Sequence, residues 1–298
     1  MDRRRGASCV TTTFFSIDRP LLKSLLVLAT VIEARDRFTG GHVWRASRYA
    51  RRLAEKLGLP AGDVFLAQLG GLVHDIGKIG ISDGILNKRG PITDTERELL
   101  RLHPEIGEEI VANHPLAPLV AIPVVQHHLR VDGRGYPQRL ADREPSVVTR
   151  IVTIADVFDA VTAFRPYHGA NLLEHGLAEL AEARGTQLDA AFVDAFVELG
   201  RSGGLDHILG HAGEGRLMLT CAECGPIVAP PAGVGDGDTI VCPSCLGELT
   251  LHAAGGSFEL EWRGSRAAAY RPRADMGAVD EILHDSPPAV DLPPDDDG

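Results

Sequence analysis

Two C-x-x-C pairs constrain this 298-residue chain more tightly than any other feature. Cys221-Ala-Glu-Cys224 and Cys242-Pro-Ser-Cys245 stand 17 residues apart, a spacing that fits one four-thiolate zinc site made by knuckles on adjacent hairpins. The runs around them are short and β-prone: Leu217 to Thr220, Thr239 to Val241, Leu249 to His252 and Phe258 to Trp262, parted by Gly and Pro turns. A fragment this small lacks a core of its own, so a metal would supply its folding energy. Residues 213–263 therefore read as a zinc ribbon holding one structural zinc. The fifth cysteine, Cys9, lies in an Arg-, Thr- and Ser-rich start, residues 1–17, which reads as flexible, and its thiol as free.

Between residues 18 and 205 the chain is helical in pattern, so the fold class is mainly α. Ala46, Tyr49, Leu53 and Leu57 form one stripe, and Val64, Ala67, Gly71 and His74 another. Thr93 followed by Glu96 is a capping-box pair, and Pro104 breaks or restarts the helix that follows. Helical spacing also covers Leu116 to His128, Val147 to Phe164, Leu172 to Ala183 and Ala190 to Leu199, while Arg130 to Pro145 reads as an ordered loop. Residues 264–298 are Pro- and Asp-rich and read as a disordered acidic tail.

The net charge of −11 is carried mostly by the C-terminal third. Residues 274–298 hold eight acids and no Lys or Arg, and residues 213–263 hold seven acids against two arginines. The helical part is nearly neutral, which argues against a nucleic-acid partner. The apolar stretch Leu21 to Ile32 is too short for a membrane span, and the first residues lack an apolar signal core. A cytoplasmic location with no membrane association is expected.

Five histidines fall at helix positions facing the interior: His42, His74, His103, His127 and His128. Individually each has an ordinary reading, as a satisfied core histidine or a capping residue. His74-Asp75 with Lys78 one turn on is a better candidate, because a carboxylate beside an imidazole can bridge two ions. Asp156 follows the apolar run Ile151 to Ala155 and would be costly to bury without a cation.

In combination these residues resemble the HD-GYP phosphodiesterases, within the HD superfamily of metal-dependent phosphohydrolases. The matching stretches are Thr39-Gly-Gly-His42, Gly71-Leu-Val-His-Asp-Ile-Gly-Lys-Ile79, Asp83-Gly-Ile-Leu-Asn-Lys88, Leu102-His-Pro-Glu-Ile-Gly107, His127-His128, Asp132-Gly-Arg-Gly-Tyr-Pro137, Arg150 to Asp156 with Asp159, Arg165-Pro-Tyr167 and Gly185-Thr-Gln-Leu-Asp189. They run in family order over about Leu21 to Leu199.

The resemblance implies an HD-type helical bundle with two iron or manganese ions in a cleft. His42, His74, Asp75 and Asp156 would serve one ion, and Asp75 would bridge to a second held by His103, His127 and His128. It further implies hydrolysis of cyclic di-GMP to pGpG or GMP by a metal-bound hydroxide, with Lys78 neutralising the phosphoryl group or assisting the leaving oxygen. Gly133, Gly135 and Tyr136 resemble the loop bordering the cleft, and Arg165 resembles the arginine that contacts phosphate or guanine. Three positions depart from the family: Leu129 replaces the usual Glu after the paired histidines, His168 a frequent Lys, and Phe38 the Glu of members with a third metal. The Leu129 departure keeps open a second reading, a catalytically impaired scaffold or cyclic di-GMP receptor. A hydrolase of another nucleotide is the third. The ribbon reads as a structural cap or a docking surface for a protein partner.

Overall fold

The computed structural model describes residues 13–36, 40–163, 172–225, 227–255 and 257–292. Arg165, Phe38, His168 and Cys9, all singled out from sequence, lie outside the described residues.

A short strand β1 (Thr13–Ser16) precedes α1 (Arg19–Glu33), whose first turn contains Pro20 and is capped by Asp18 accepting from the Leu21 amide at 2.9 Å. Then come α2 (His42–Lys56), α3 (Ala61–Val73), a 3₁₀ turn (Ile76–Gly80), α4 (Asp83–Leu86), α5 (Asp94–Leu100), α6 (His103–Val111), α7 (Ala117–Gln126), α8 (Val147–Ala163), α9 (Leu172–Ala183) and α10 (Ala190–Arg201). The capping box is present at α5: Glu96 N–H donates to Thr93 Oγ1, and Thr93 N–H to Glu96 Oε2. Pro104 restarts the chain as α6, occupying a first-turn position where its missing N–H costs nothing.

Helices α2, α3 and α8 pack on one another at the centre, and Tyr49, Leu53, Leu69, Leu72, Phe158 and Phe196 are fully buried there. Two glycines make the packing close enough to build a site. A Cβ at Gly71 would lie 2.7 Å from Ser47 Cα, so α3 meets α2 backbone to backbone. A Cβ at Gly77 would lie 1.8 Å from His103 O, so only glycine lets the 3₁₀ turn rest on α6.

After the bundle, the hairpin β2 (His211–Gly213) and β3 (Arg216–Leu217) leads into the small β module. There β4 (Leu219–Thr220) pairs with β5 (Ile227–Val228), and β6 (Thr239–Val241), β7 (Gly247–Ala254) and β8 (Ser257–Arg266) form an antiparallel three-stranded sheet.

The C-terminal segment differs from the sequence reading. Residues 276–292, assigned by composition to a disordered tail, form helix α11 (Met276–Asp285) and strand β9 (Ala289–Leu292). Strand β9 pairs antiparallel with β1, so residues 13–16 of the start are ordered too. The physical reason is an apolar stripe hidden among acids. Ala278, Val279 and Ile282 join the main core, while Glu281 accepts from Trp44 Nε1 at 2.8 Å and Asp285 pairs with Arg51. The acids that suggested disorder neutralise the arginines on α2. Residues 293–298 lie outside the described part.

Candidate metal centre

The bundle gathers its titratable residues at helix ends. His42 opens α2, His103 opens α6, His74 and Asp75 follow α3, His127 and His128 follow α7, and Asp156 alone sits mid-helix, on α8. Their ring nitrogens and carboxylate oxygens fall into two groups. In the first, His42 Nε2 and His74 Nε2 are 3.2 Å apart, with Asp156 Oδ1 at 3.5 and 3.7 Å from them. In the second, His103 Nε2 and His127 Nε2 are 3.0 Å apart, and the ligand atoms of His103, His127 and His128 lie within 4.8 Å of one another. Asp75 faces both. Its Oδ2 is 3.4 Å from His74 Nε2 and 3.6 Å from His42 Nε2, and its Oδ1 is 3.3 Å from His103 Nε2.

The outer nitrogens of these rings fix the tautomers. Nδ1 of His74 donates to Gly71 O at 2.9 Å, Nδ1 of His103 to Leu100 O at 2.7 Å, and Nδ1 of His127 to Val124 O at 2.9 Å. In each case the acceptor is the carbonyl three residues upstream, exposed where a helix ends. His42 is held differently, by Asp159 Oδ2 at 2.8 Å. Each Nε2 is thereby turned inward. Imidazole nitrogens whose partners force lone pairs toward one another at 3.0–3.2 Å need a cation or a proton between them. Ligand bonds of about 2.1 Å place adjacent donors roughly 3.0–3.4 Å apart, so the set fits two ions that share Asp75.

The electrostatics divide the groups further. Burial opposes charge on His42, but the bonds from Asp159 and Asp75 outweigh it and lift the ring to about 10. His74 rises to about 9, its burial outweighed by Asp75 and Asp156. In the second group burial wins, and with the other histidines' charge it pushes His128 down to about 3. Asp75 is itself held well below the carboxylate range, burial being overcome by Lys78 and His74. Lys78 Nζ donates to Asp75 Oδ2 at 2.7 Å and to Asp36 Oδ2 at 3.4 Å, so Lys78 reaches the bridging carboxylate itself.

The loop residues do different things. Tyr136 stacks on His128, ring centroids 4.5 Å apart, and donates its amide to His128 O at 3.2 Å. A Cβ at Gly135 would lie 2.4 Å from His128 O, so this glycine lets the loop lie against the second group. Gly133 is a turn residue at φ 74°, and among the described residues the neighbour within reach of a Cβ there is Ala141 O, at 3.5 Å. Leu129, where the family carries a carboxylate, is 2% exposed and packs with Val125 and Leu140 in an apolar cluster.

Sequence reasoning gave no role to Asp159, Arg45 or Asp36. Asp159 lies three residues after Asp156, and Arg45 three after His42, so each shares a helix face with a candidate ligand; that spacing was the available signal. Asp36, 8% exposed, carried no periodic signal, since it follows the end of α1.

In the β module the four thiols close on one point. Cys221 Sγ is 3.8 Å from Cys245 Sγ, and Cys224 Sγ is 3.7 Å from Cys242 Sγ. A tetrahedron with Zn–S bonds of about 2.3 Å has edges of roughly 3.8 Å, whereas a disulfide would need about 2.05 Å. The two knuckles match: Gly225 N–H donates to Cys221 O and Leu246 N–H to Cys242 O, both at 3.0 Å, and each knuckle ends on a residue with positive φ.

No helix among the described residues is long and apolar enough to cross a membrane. Comparison with known proteins covers the bundle. The HD domain family model matches residues 26–192, more than half of the chain. The chain is 37% identical over 177 residues to the cyclic di-GMP phosphodiesterase response regulator RpfG of Xanthomonas campestris, covering 59% of this chain and 47% of that one. It is 38% identical over 181 residues to a cyclic di-GMP phosphodiesterase of Thermotoga maritima, covering 60% and 49%. A 3'3'-cGAMP-specific phosphodiesterase of Vibrio cholerae is 34% identical over 161 residues, covering 53% of this chain and 35% of its own length. The chain thus spans about half the length, or less, of these curated relatives. With the match over residues 26–192 and the His74-Asp75 pair at the meeting point of both ligand groups, the chain belongs to the HD domain family.

Proposed function

We propose that the protein is a metal-dependent phosphodiesterase that opens cyclic di-GMP to pGpG, or on to GMP. The observation that carries this reading is the pair of imidazole groups sharing one carboxylate, Asp75. His42, His74 and Asp156 would hold one ion, His103, His127 and His128 the other, with Asp75 between. Mixed imidazole and carboxylate donors suit iron or manganese. Two such ions, when bound, activate water and neutralise charge on a phosphoryl group.

The chain's own residues do the rest. The Asp75 carboxylate holds Lys78 in the cleft at 2.7 Å, where a phosphoryl oxygen or the departing ribose oxygen can meet its ammonium group. Attack of water on phosphorus breaks the P–O bond to ribose; the proton lost by the attacking water passes to solvent, while the leaving oxygen takes one from Lys78, the placed donor, which regains it from solvent. Tyr136 and Gly135 shape the side of the cleft next to His128, with the Arg101 guanidinium over the Tyr136 ring. Gly133 sets the turn, and Arg165 is assigned to phosphate or guanine by the resemblance. The alternative, a catalytically impaired scaffold or cyclic di-GMP receptor, rests on Leu129 in place of the usual Glu; against it stands the packing of Leu129 with Val125 and Leu140, which fits an ordinary core position.

The ribbon is assigned one structural zinc on Cys221, Cys224, Cys242 and Cys245, and serves as a cap or as a docking surface for a protein partner. A cytoplasmic location suits four thiols that must stay reduced to hold a metal. The test is to incubate iron- or manganese-loaded protein with cyclic di-GMP and, separately, 3'3'-cGAMP, resolving products by chromatography. Metal-dependent pGpG or GMP from the first substrate is expected. An intact substrate in the presence of fully loaded protein overturns the activity, and cleavage of 3'3'-cGAMP alone reassigns the substrate.

A further inference from the structure

Arg45 is a fully buried cation, 1% exposed, and its guanidinium joins two parts of the chain that share no motif. On one side it grips Asp159 twice, Nε to Oδ1 at 2.6 Å and Nη2 to Oδ2 at 3.0 Å. Asp159 Oδ2 is also the acceptor that holds His42 Nδ1 at 2.8 Å. On the other side Nη1 donates to His211 O and Met218 Sδ, each at 2.9 Å, and to Gly40 O at 3.0 Å. His211 and Met218 flank the β2–β3 hairpin, the link from the bundle to the ribbon. The approach is close: a Cβ at Gly41 would lie 2.6 Å from Ala212 Cα.

His42 therefore differs from its neighbours. His74, His103 and His127 are oriented by carbonyls three residues upstream in the chain. His42 is oriented by a side chain on α8, and that side chain is oriented by Arg45. We propose that Arg45 is a positioning residue for the first ligand group. By spanning Asp159 and the hairpin it fixes the His42 ring and makes the root of the ribbon part of the metal centre's outer support. The span needs a planar fork of several donors, which lysine cannot reproduce. The inference rests on the two-metal reading above, and its test separates the two.

The test titrates full-length protein with Mn²⁺ alone, zinc left in the ribbon and the bundle stripped beforehand, with Mn²⁺ sites counted and their affinities measured without substrate. Wild-type protein should bind two Mn²⁺ ions per bundle; none would overturn the metal reading itself. Arg45→Lys should weaken one site by about 10- to 100-fold and leave the other unchanged, the usual cost of losing an outer support. His103→Ala should weaken the opposite site, which identifies the two. A merely structural role for Arg45 would lower the melting temperature and leave both affinities alone, and that result overturns the proposal. If Arg45→Lys does not fold, Asp159→Asn decides the matter, since it keeps the side chain's size and loses the charge that Arg45 grips: unchanged affinity at both sites overturns the proposal. Met218→Ala tests the hairpin without touching the buried ion pair. A severalfold loss at the same site is expected, and unchanged affinity rules out the hairpin's part.

Discussion

The bundle and the ribbon both bring side chains to a metal position, but they do it in opposite order. In the bundle the core is assembled from Tyr49, Leu53, Leu69, Phe158, Phe196 and their neighbours, and the proposed ligands, Asp156 on α8 excepted, sit at the ends of helices that this core already fixes. In the ribbon three of the eight buried cluster residues, Cys221, Cys242 and Cys245, are themselves proposed ligands; Leu219, Val228, Ile240, Leu249 and Leu251 surround them, and the partly buried Val234, Phe258 and Leu260 pack against the cluster. On the proposed metal reading, one module would fold and then bind, and the other would bind in order to fold. Loss of metal should thus cost function in the first and structure in the second.

The sharpest test of the bundle half is Asp75→Ala. It removes the carboxylate that faces both imidazole groups, so turnover of cyclic di-GMP should disappear and bundle metal should fall below two per chain. Helix content by circular dichroism should stay at the wild-type level. Retained turnover in a metal-depleted variant counts decisively against the mechanism, and loss of helix would show that the bundle depends on its metals as the ribbon does.

Cys242→Ser is the matching test of the ribbon. Zinc content should drop by one equivalent, and amide protection should collapse over residues 219–266 while α2, α3 and α8 stay protected. The expected loss is large for so small a unit, since structural zinc supplies about 10–16 kcal/mol of apparent binding energy in isolated zinc-finger peptides. A ribbon that remains protected without zinc would break the comparison. Elemental analysis of the same samples should find zinc in the ribbon and iron or manganese in the bundle.

Lys78→Ala comes next in size. It leaves all seven proposed ligands of the bundle in place, so metal content should barely change while turnover falls by about 100-fold, within the range ascribed to a positioned proton donor. A proportional loss of metal would instead make Lys78 a support for Asp75, to which it donates at 2.7 Å.

How much of this was legible in sequence follows the same division. Helices with long apolar stripes, such as α2 and α10, were readable because their burial is periodic, and the thiol pairs because their spacing is short and local. The ligand histidines were readable only as a set, through resemblance, because each one alone has an ordinary explanation. What escaped was non-local. Helix α11 was masked by its acids, whose partners Arg48, Arg51 and Trp44 lie more than 230 residues away. Arg45 and Asp159 look like an exposed cation and an exposed acid until α2 and α8 are packed together.

Leu129 shows the limit most clearly, and Leu129→Glu should have the smallest effect. From sequence, a leucine in place of a carboxylate beside His128 suggests a damaged centre that Glu would repair. In the structure Leu129 is buried and packs with Val125 and Leu140. Leu129 also lines a small cavity together with Arg150, whose Nε is buried without a hydrogen-bond partner among the described residues, although its Nη1 pairs with Asp189 at 2.9 Å and Glu144 at 3.4 Å. An introduced carboxylate would thus be costly to bury but would meet a cation lacking one acceptor. The two effects oppose, so Leu129→Glu should change stability by only about 1 kcal/mol, whereas Leu129→Ala, which merely opens a cavity, should cost about 2–5 kcal/mol. Bundle metal content and phosphodiesterase rate should match wild type in both variants. A rise in metal occupancy or rate on introducing Glu would show that this position acts on the ligands after all, through the backbone it shares with His128. Repeating the substitution with Arg150→Met isolates the cause, since the introduced carboxylate would then have no guanidinium to meet and the loss should approach that of the cavity variant.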